Sequence, residues 1–451
     1  MLRLFDTARG RVVLLETREE GKVSMYVCGP TVDGPPHLGH GRSTLTYDIL
    51  RRYLEWSGQQ VRHVSNVTDI DDKIIAKAQH VGADPADVAR SNEQVWWDSM
   101  DALGILRPTD TPHATEYIAR MVDLVSRFLD DGVAYQTSDG VYLDVAQVAG
   151  YGLLALQDLD SLRAGARVEA NEEKRSPLDF ALWKLAKPGE PSWPAPFGDG
   201  RPGWHTECVV MSLDLLGEGF DLHTGGQDLR FPHHENERAQ AVVLGKRFAN
   251  HWMHHAFVET DGEKMSKSLG NVTDLVGLLA QHDARAYRLL ILGSHYRSPM
   301  DVSAEAMANV EAALERLDAF ARRVAKLWTT AAPDPAALHQ FQAKMDDDLD
   351  TPGATAAIFD LVRAANTALD AGDEETAAPL AAAVRELTGA VGLVLHTEAA
   401  QVPAEISRLA EERDAARAAK DWSRADALRD EIQAAGYVLE DSGSGTLVRP
   451  R

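Results

Sequence analysis

Residues 28–43, CGPTVDGPPHLGHGRS, bring Cys28 close to the pair His37-Leu38-Gly39-His40, with prolines between them. Two chemistries suit such a stretch. One thiolate and two imidazoles could share a metal ion. A His-x-x-His where a strand hands over to a helix could instead face phosphate, because that junction offers free backbone N–H groups and the positive end of a helix dipole. Solvated histidines satisfy the spacing equally well, so the stretch alone selects none of these. Cys208 is the only other cysteine. Two cysteines argue against a disulfide-built secreted fold and are also what two core thiols would give.

A second stretch narrows the choice. Lys264-Met265-Ser266-Lys267-Ser268 lies between Asp-Gly-Glu and Leu-Gly-Asn. Two ammonium groups on a polar loop can neutralise the charge that grows on pyrophosphate as it leaves an α-phosphate. Alone, the stretch reads as a surface loop. Combined with His37-Leu-Gly-His40 far upstream, it resembles the two signature motifs of class I aminoacyl-tRNA synthetases, with Leu38 where isoleucine is common. Pro202-Gly-Trp-His-Thr-Glu-Cys208 and Phe231-Pro-His-His-Glu-Asn-Glu237, taken with Cys28, resemble cysteinyl-tRNA synthetases. That resemblance spans essentially the whole chain, including NVTDIDDKIIAKA (66–78), RSPLDFALWK (175–184) and the KDWSRADALRD tail.

The resemblance implies zinc held by Cys28, Cys208, His233 and Glu237, using both cysteines of the chain. His233 and Glu237, at i and i+4, would share one helix face. Such a zinc can take one more soft ligand, the thiolate of free cysteine, where serine's hydroxyl competes poorly. Shape alone separates small isosteres by only about 1–3 kcal/mol. The resemblance further implies that His37, His40, Lys264 and Lys267 act on the phosphates of Mg2+-bound ATP. Gly225, Gly226 and Asp228 match the adenosine-receiving loop; Thr68, Trp204 and His205 match cysteine contacts, with Trp204 closing from a Pro/Gly loop. His234, His254 and His255 read as surface or packing residues. Thr31-Val32-Asp33-Gly34 departs from the family's Thr-Val-Tyr-Asp, which bears on catalytic efficiency rather than on fold. The nearest alternative is a mycothiol-type ligase, which transfers cysteine to an amino sugar and generally lacks the C-terminal region. A catalytically idle paralogue binding zinc or RNA is weighed against by the intact motifs.

These residues need elements to hold them. Lys22–Cys28 alternates as a buried strand, and 38–56 puts Leu45, Ile49, Tyr53 and Trp56 on one helical face. A strand over 61–67 and a long helical stretch over 74–103 follow, the opening of a parallel α/β sheet. Residues 133–145 read as a hairpin around Ser138-Asp139-Gly140, and 346–395 as a continuing helical bundle. The expected fold is a Rossmann-like catalytic domain (1–112 and 201–260), with an α+β insertion (113–200) too short for editing. A stem-contact region carrying the Lys264 motif (261–305), a helical bundle (306–395) and a small tRNA-binding module (405–451) follow. That module reads as a helical hairpin, a short strand and a Ser-Gly-Ser-Gly turn.

With 44% hydrophobic and 25% charged residues, the composition is that of an ordinary soluble protein. The N-terminus MLRLFDTARG lacks the apolar core of a secretion signal, so a cytoplasmic protein is expected, with no membrane partner. A net charge of −23 speaks against a nonspecific nucleic-acid binder but not against a tRNA substrate, because the charge is segregated. Residues 331–404 carry 12 acids against 3 bases, whereas 405–451 carry 10 against 8. The expected partners are tRNA-Cys, L-cysteine and ATP, the expected state a monomer.

Overall fold

The computed structural model describes residues 1–155, 173–260, 263–264, 274–328, 331–398, 403–442 and 445–450. A hairpin of β1 (Arg3–Asp6) and β2 (Arg11–Leu14) leads into β3 (Lys22–Val27), buried at every position after Lys22. α1 (Leu38–Trp56) buries Leu45, Ile49 and Tyr53 of the face its spacing predicts, and leaves Trp56 half-buried. β4 (Gln60–Ser65) pairs in parallel with β3. The stretch expected as one long helix is two, α2 (Asp72–Val81) and α3 (Pro85–Ala102). Gly82 takes φ 69° and ends the first, while Asp84 caps the second with Pro85 in its opening turn.

α4 (Ile118–Asp130) and the strands β5 (Ala134–Gln136), β6 (Gly140–Leu143), β7 (Phe180–Leu185) and β8 (Gly200–Pro202) form an antiparallel unit. Phe128, Val141, Leu182 and Trp183 build its own core. An ion network ties it to α2: Asp72 receives Arg201 and Lys184, each at 2.5 Å. α5 (Trp204–Leu215) then returns the chain to the main sheet, which β9 (Phe220–Gly226) and β10 (Ala249–His255) complete on either side of α6 (Glu235–Val243). The order β10-β9-β3-β4 is parallel throughout. Its connections reverse direction between β3 and β9, the switch point outside whose carboxyl strand ends parallel sheets of this kind place their sites.

Beyond the sheet, β11 (Val258–Thr260), β12 (Glu263–Lys264) and β13 (Met300–Asp301) make a small second sheet around α7 (Leu275–Gln281) and α8 (Ala284–Leu292). The bundle comprises α9 (Ala304–Arg323), α10 (Pro335–Met345), α11 (Thr351–Asp370) and α12 (Glu374–Ala390). Residues 346–350 are not helical, contrary to expectation, because their carboxylates are engaged elsewhere. Asp346 accepts from Tyr53 at 2.8 Å, Asp348 from the Phe5 amide at 2.8 Å, and Asp350 caps α11. α13 (Ala404–Ala418) and α14 (Trp422–Ala434) form the terminal helical hairpin. Two strands follow it, not one: β14 (Tyr437–Ser442) pairs with β15 (Gly445–Pro450), and Tyr437, Leu439 and Val448 pack on Leu428 and Ile432. No helix among the described residues is long and apolar enough to cross a membrane.

Candidate active site and metal centre

Four donors from four segments meet at the end of β3. Cys28 follows that strand, Cys208 sits on α5, Glu237 on α6, and His233 in the wide turn Arg230–His234 that runs into α6. His233 was expected on the same helix as Glu237. Phe231 is extended (φ −142°, ψ 133°), so the turn is irregular, yet the four-residue spacing still joins the two side chains. Cys28 Sγ lies 3.8 Å from Cys208 Sγ and 3.6 Å from Glu237 Oε1; His233 Nε2 lies 3.7 Å from Cys208 Sγ and 2.8 Å from Glu237 Oε1. Metal–ligand bonds of ~2.0–2.3 Å in a tetrahedron require donor spacings of roughly 3.3–3.8 Å. Three of these four edges are near that range, and the fourth is the contact of a carboxylate with a protonated imidazole.

The electrostatics describe a cation site held closed by a proton. Cys208 is drawn down to about 6, by its bond from the Cys28 thiol and by His233 despite burial, while burial pushes the Cys28 thiol up. Burial opposes ionisation of Glu237, but His223 and His233 hold it well below the usual carboxylate range. Burial likewise opposes protonation of His233, yet Glu237 and Cys208 raise it to about 10. The cluster thus collects thiolate, carboxylate and imidazolium. A divalent cation in place of that proton satisfies the same anions. A second donor set overlaps the first, since His223 bonds Glu237 Oε2 at 2.5 Å and His234 Nε2 lies 3.3 Å from Cys28 Sγ.

Around the cluster stand the other predicted residues. Trp204 opens α5 instead of lying in a loop; its ring stacks on His233 at 3.9 Å between centroids, and it remains 37% exposed. His205 Nδ1 is 2.8 Å from His233 Nδ1. Buried Thr68 donates at 2.7 Å to Glu207, whose carboxyl burial pushes well above its ordinary range. His234, His254 and His255 are all buried packing residues, not surface ones. His234 Nδ1 contacts His254 Nε2 at 2.8 Å, and His254 Nδ1 reaches Thr7 at 2.7 Å. Sequence reasoning passed over Glu207 and His223. Glu207 stands inside the quoted WHTEC stretch, and His223 lies on β9, where a polar residue amid buried neighbours was the available signal.

The second part of the site lies at the same end of the sheet. His37 and His40 stack at 3.7 Å between ring centroids at the start of α1, with His40 edge-on to Trp96 at 5.3 Å. Gly225 and Gly226 end β9 and Asp228 is exposed in the turn beyond. Any Cβ at Gly225 would collide with the His234 ring, so glycine lets the end of β9 pass close to that imidazole. Lys264 ends β12, its backbone paired with Glu259; Lys267 lies outside the described residues. Asp274 bridges to His37, and the Leu275 amide donates to Pro36 at 3.1 Å. The chain that follows the Lys264–Ser268 motif therefore returns beside the histidine turn at Asp274. Asp33 and Gly34 precede that turn, half-buried, with open space where a Gly34 side chain would stand.

Residues 14–312 match the family described as tRNA synthetases class I (C) catalytic domain, 340–396 a DALR domain, and 399–449 the cysteinyl-tRNA ligase anticodon binding domain. The chain is 44% identical to a protein of Halorhodospira halophila and 43% identical to one of Thermotoga maritima, each alignment covering 99% of both chains. A Beutenbergia cavernae protein is 44% identical over 98% of both chains. All three are named cysteine–tRNA ligase. Among solved structures, Mycobacterium tuberculosis methionyl-tRNA synthetase in complex with methionyl-adenylate matches with a TM-score of 0.59 at 18% identity, covering 82% of this chain and 89% of the other. An Agrobacterium radiobacter LeuRS in a ternary complex with tRNA matches with a TM-score of 0.64 at 13% identity, covering 84% of each chain. Those two likenesses establish the class I fold. The full-length relatives and the matched catalytic and anticodon-binding segments establish more: the chain belongs to the cysteinyl-tRNA synthetase family.

Proposed function

We propose that the protein is a cysteine–tRNA ligase that activates L-cysteine with ATP and transfers it to tRNA-Cys. One observation carries the reading: the four-donor cluster and the His37/His40 turn both lie at the carboxyl end of the parallel sheet, Cys28 directly after β3 and the histidines where the same connection enters α1. In the first step the carboxylate oxygen of cysteine attacks the α-phosphorus of Mg2+-bound ATP, and pyrophosphate leaves as the adenylate forms. In the second, a terminal ribose hydroxyl of tRNA attacks the acyl carbon and AMP leaves. No side chain need bond covalently; orientation and charge carry the rate.

Cys28, Cys208, His233 and Glu237 would hold zinc, which supplies a soft position for the substrate's thiolate. Trp204, stacked on His233 with one face accessible, would cover the amino acid, with His205 beside it. Thr68 would orient it, its own hydroxyl fixed by Glu207. His37 and His40 would bond the ATP phosphates at the helix start, joined by Lys264 and Lys267. Gly225, Gly226 and Asp228 would receive the adenosine. Residues 113–200 would be the connective insertion, 306–395 the bundle and 405–451 the anticodon module of a cytoplasmic monomer.

The deciding experiment offers labelled cysteine with ATP to tRNA-Cys and, separately, to an amino-sugar acceptor. Charging of tRNA alone supports the ligase. Transfer to the sugar alone would assign the mycothiol-type reaction, and failure of cysteine-dependent ATP–pyrophosphate exchange would leave an idle paralogue.

A further inference from the structure

Arg42 lies just past the histidine turn on α1 and is 1% exposed. Burial draws its guanidinium down to about 10. Among the described residues it makes no salt bridge. Every hydrogen bond it donates goes to a backbone carbonyl: Nη1 to Phe257 at 2.5 Å, Nη2 to Ser298 at 2.5 Å, and Nη2 more weakly to Tyr296 at 3.3 Å and His295 at 3.4 Å. A buried cation without a salt bridge is costly, and the fold keeps this one by surrounding it with carbonyl dipoles, with the Glu259 carboxylate acting on it from beyond contact distance. Stability alone would favour an apolar side chain here.

The acceptors belong to two segments that become neighbouring strands. Phe257 precedes β11 and residues 295–298 precede β13; the two strands pair in parallel, Val258 opposite Met300. β11 pairs on its other edge with β12, which ends at Lys264. The far side of the 295–298 loop is gripped by the bundle, where Asp348 accepts from Tyr296 Oη at 2.6 Å and Arg297 Nε at 2.8 Å. Asp348 and Leu349 both hold left-handed φ, 55° and 54°, a strained geometry that the surroundings must impose. One rigid fork therefore joins the helix bearing His37 and His40 to the small sheet bearing Lys264.

We propose that Arg42 is a positioning residue for adenylate formation, fixing the spacing between the His37/His40 turn and the strand that ends at Lys264. The proposal rests on the class I reading of those two motifs. A planar fork can hold four carbonyls of two segments at once, whereas a lysine ammonium cannot reproduce that geometry.

The test is cysteine-dependent ATP–pyrophosphate exchange by full-length, zinc-loaded protein carrying Arg42→Lys, His40→Ala, or both. Arg42→Lys should lower kcat about 100-fold, because sub-ångström alignment is lost, with the KM for cysteine changed by less than about twofold. If Arg42 acts through the spacing of the motifs, the same substitution should cost less than about threefold in the His40→Ala background. Parental kcat in a folded Arg42→Lys protein, or equal losses in both backgrounds, would overturn the proposal. Should Arg42→Lys fail to fold, Tyr296→Phe loosens the same loop while leaving Arg42 in place. It should lower kcat in the same selective way, and parental kcat there overturns the proposal too. If His40→Ala alone leaves exchange intact, the class I reading of the turn fails first and the proposal falls with it.

Discussion

Three of the four donors at the end of β3, Cys208, His233 and Glu237, have separate reasons to be charged, while burial keeps the Cys28 thiol protonated, and those differences make the site testable residue by residue. Removing Cys208 deletes the most acidic thiol and leaves His233 and Glu237 to neutralise one another. Metal analysis of the parent should find about one zinc per chain, most of it lost on Cys208→Ala. Full retention in the double variant Cys28→Ala/Cys208→Ala would sink the assignment. A second residue-scale expectation concerns His63, buried on β4 with no hydrogen-bond partner for either ring nitrogen. Burial, aided by Arg51, lowers it from 6.5 to about 3. As pH falls, the unfolded chain takes up this proton first. The stability contribution is therefore complete above the unfolded value and drains away from there down towards the folded one. At about pH 5 the loss should be roughly 2 kcal/mol. Unfolding of the catalytic domain, followed in urea at neutral and mildly acid pH, should lose that much less stability in His63→Leu than in the parent. An identical pH slope in the two proteins would show that His63 is protonated in the fold.

Elements explain how much of this was readable in the sequence. β3 and α1 were legible because their apolar positions repeat with periods of a strand and a helix, and each period is set by one buried face. The break at Gly82 was written in Gly-Ala-Asp-Pro, a C-cap followed by an N-cap, but the apolar rhythm on both sides masked it. Residues 346–350 look helical by composition; only tertiary partners such as Tyr53 and the Phe5 amide reveal why they are not. The zinc residues came from resemblance, since nothing in local spacing brings Cys28 to Cys208. Glu207 and His223 stayed hidden for a related reason: their importance lies in which buried side chains they touch. The Lys264–Ser268 element is legible only by pattern, and it predicts an asymmetric kinetic effect. Lys267→Ala should slow adenylate formation by roughly 100- to 1000-fold, the usual cost of one charge-stabilising contact, while cysteine binding barely changes. Single-turnover exchange at saturating cysteine would measure this, and a parental rate would reduce the element to a surface loop.

At the scale of the whole molecule the charge distribution sets the problem of holding tRNA. The net charge is −23, and the bundle segment 331–404 has only 3 bases to offer. The motifs proposed to form the adenylate site all precede Asn271, while the C-terminal module has its own core of Ile406, Leu409, Leu428 and Ile432. Under the proposed function its 8 basic residues would supply phosphate contacts on an otherwise repulsive surface. Trp422, at the start of α14, stands 60% exposed and offers a face on which a base could stack. Deleting residues 405–451 should therefore spare cysteine-dependent ATP–pyrophosphate exchange while strongly impairing tRNA charging. In the intact protein, charging should weaken with added salt more steeply than exchange does, because only charging depends on releasing counterions from the RNA. If the module instead supports the catalytic domain, deletion lowers both activities together and the melting transition with them. A truncated protein that stays folded and charges tRNA at the full-length rate would remove the module from tRNA recognition, and the acidic remainder would have to bind its substrate without it.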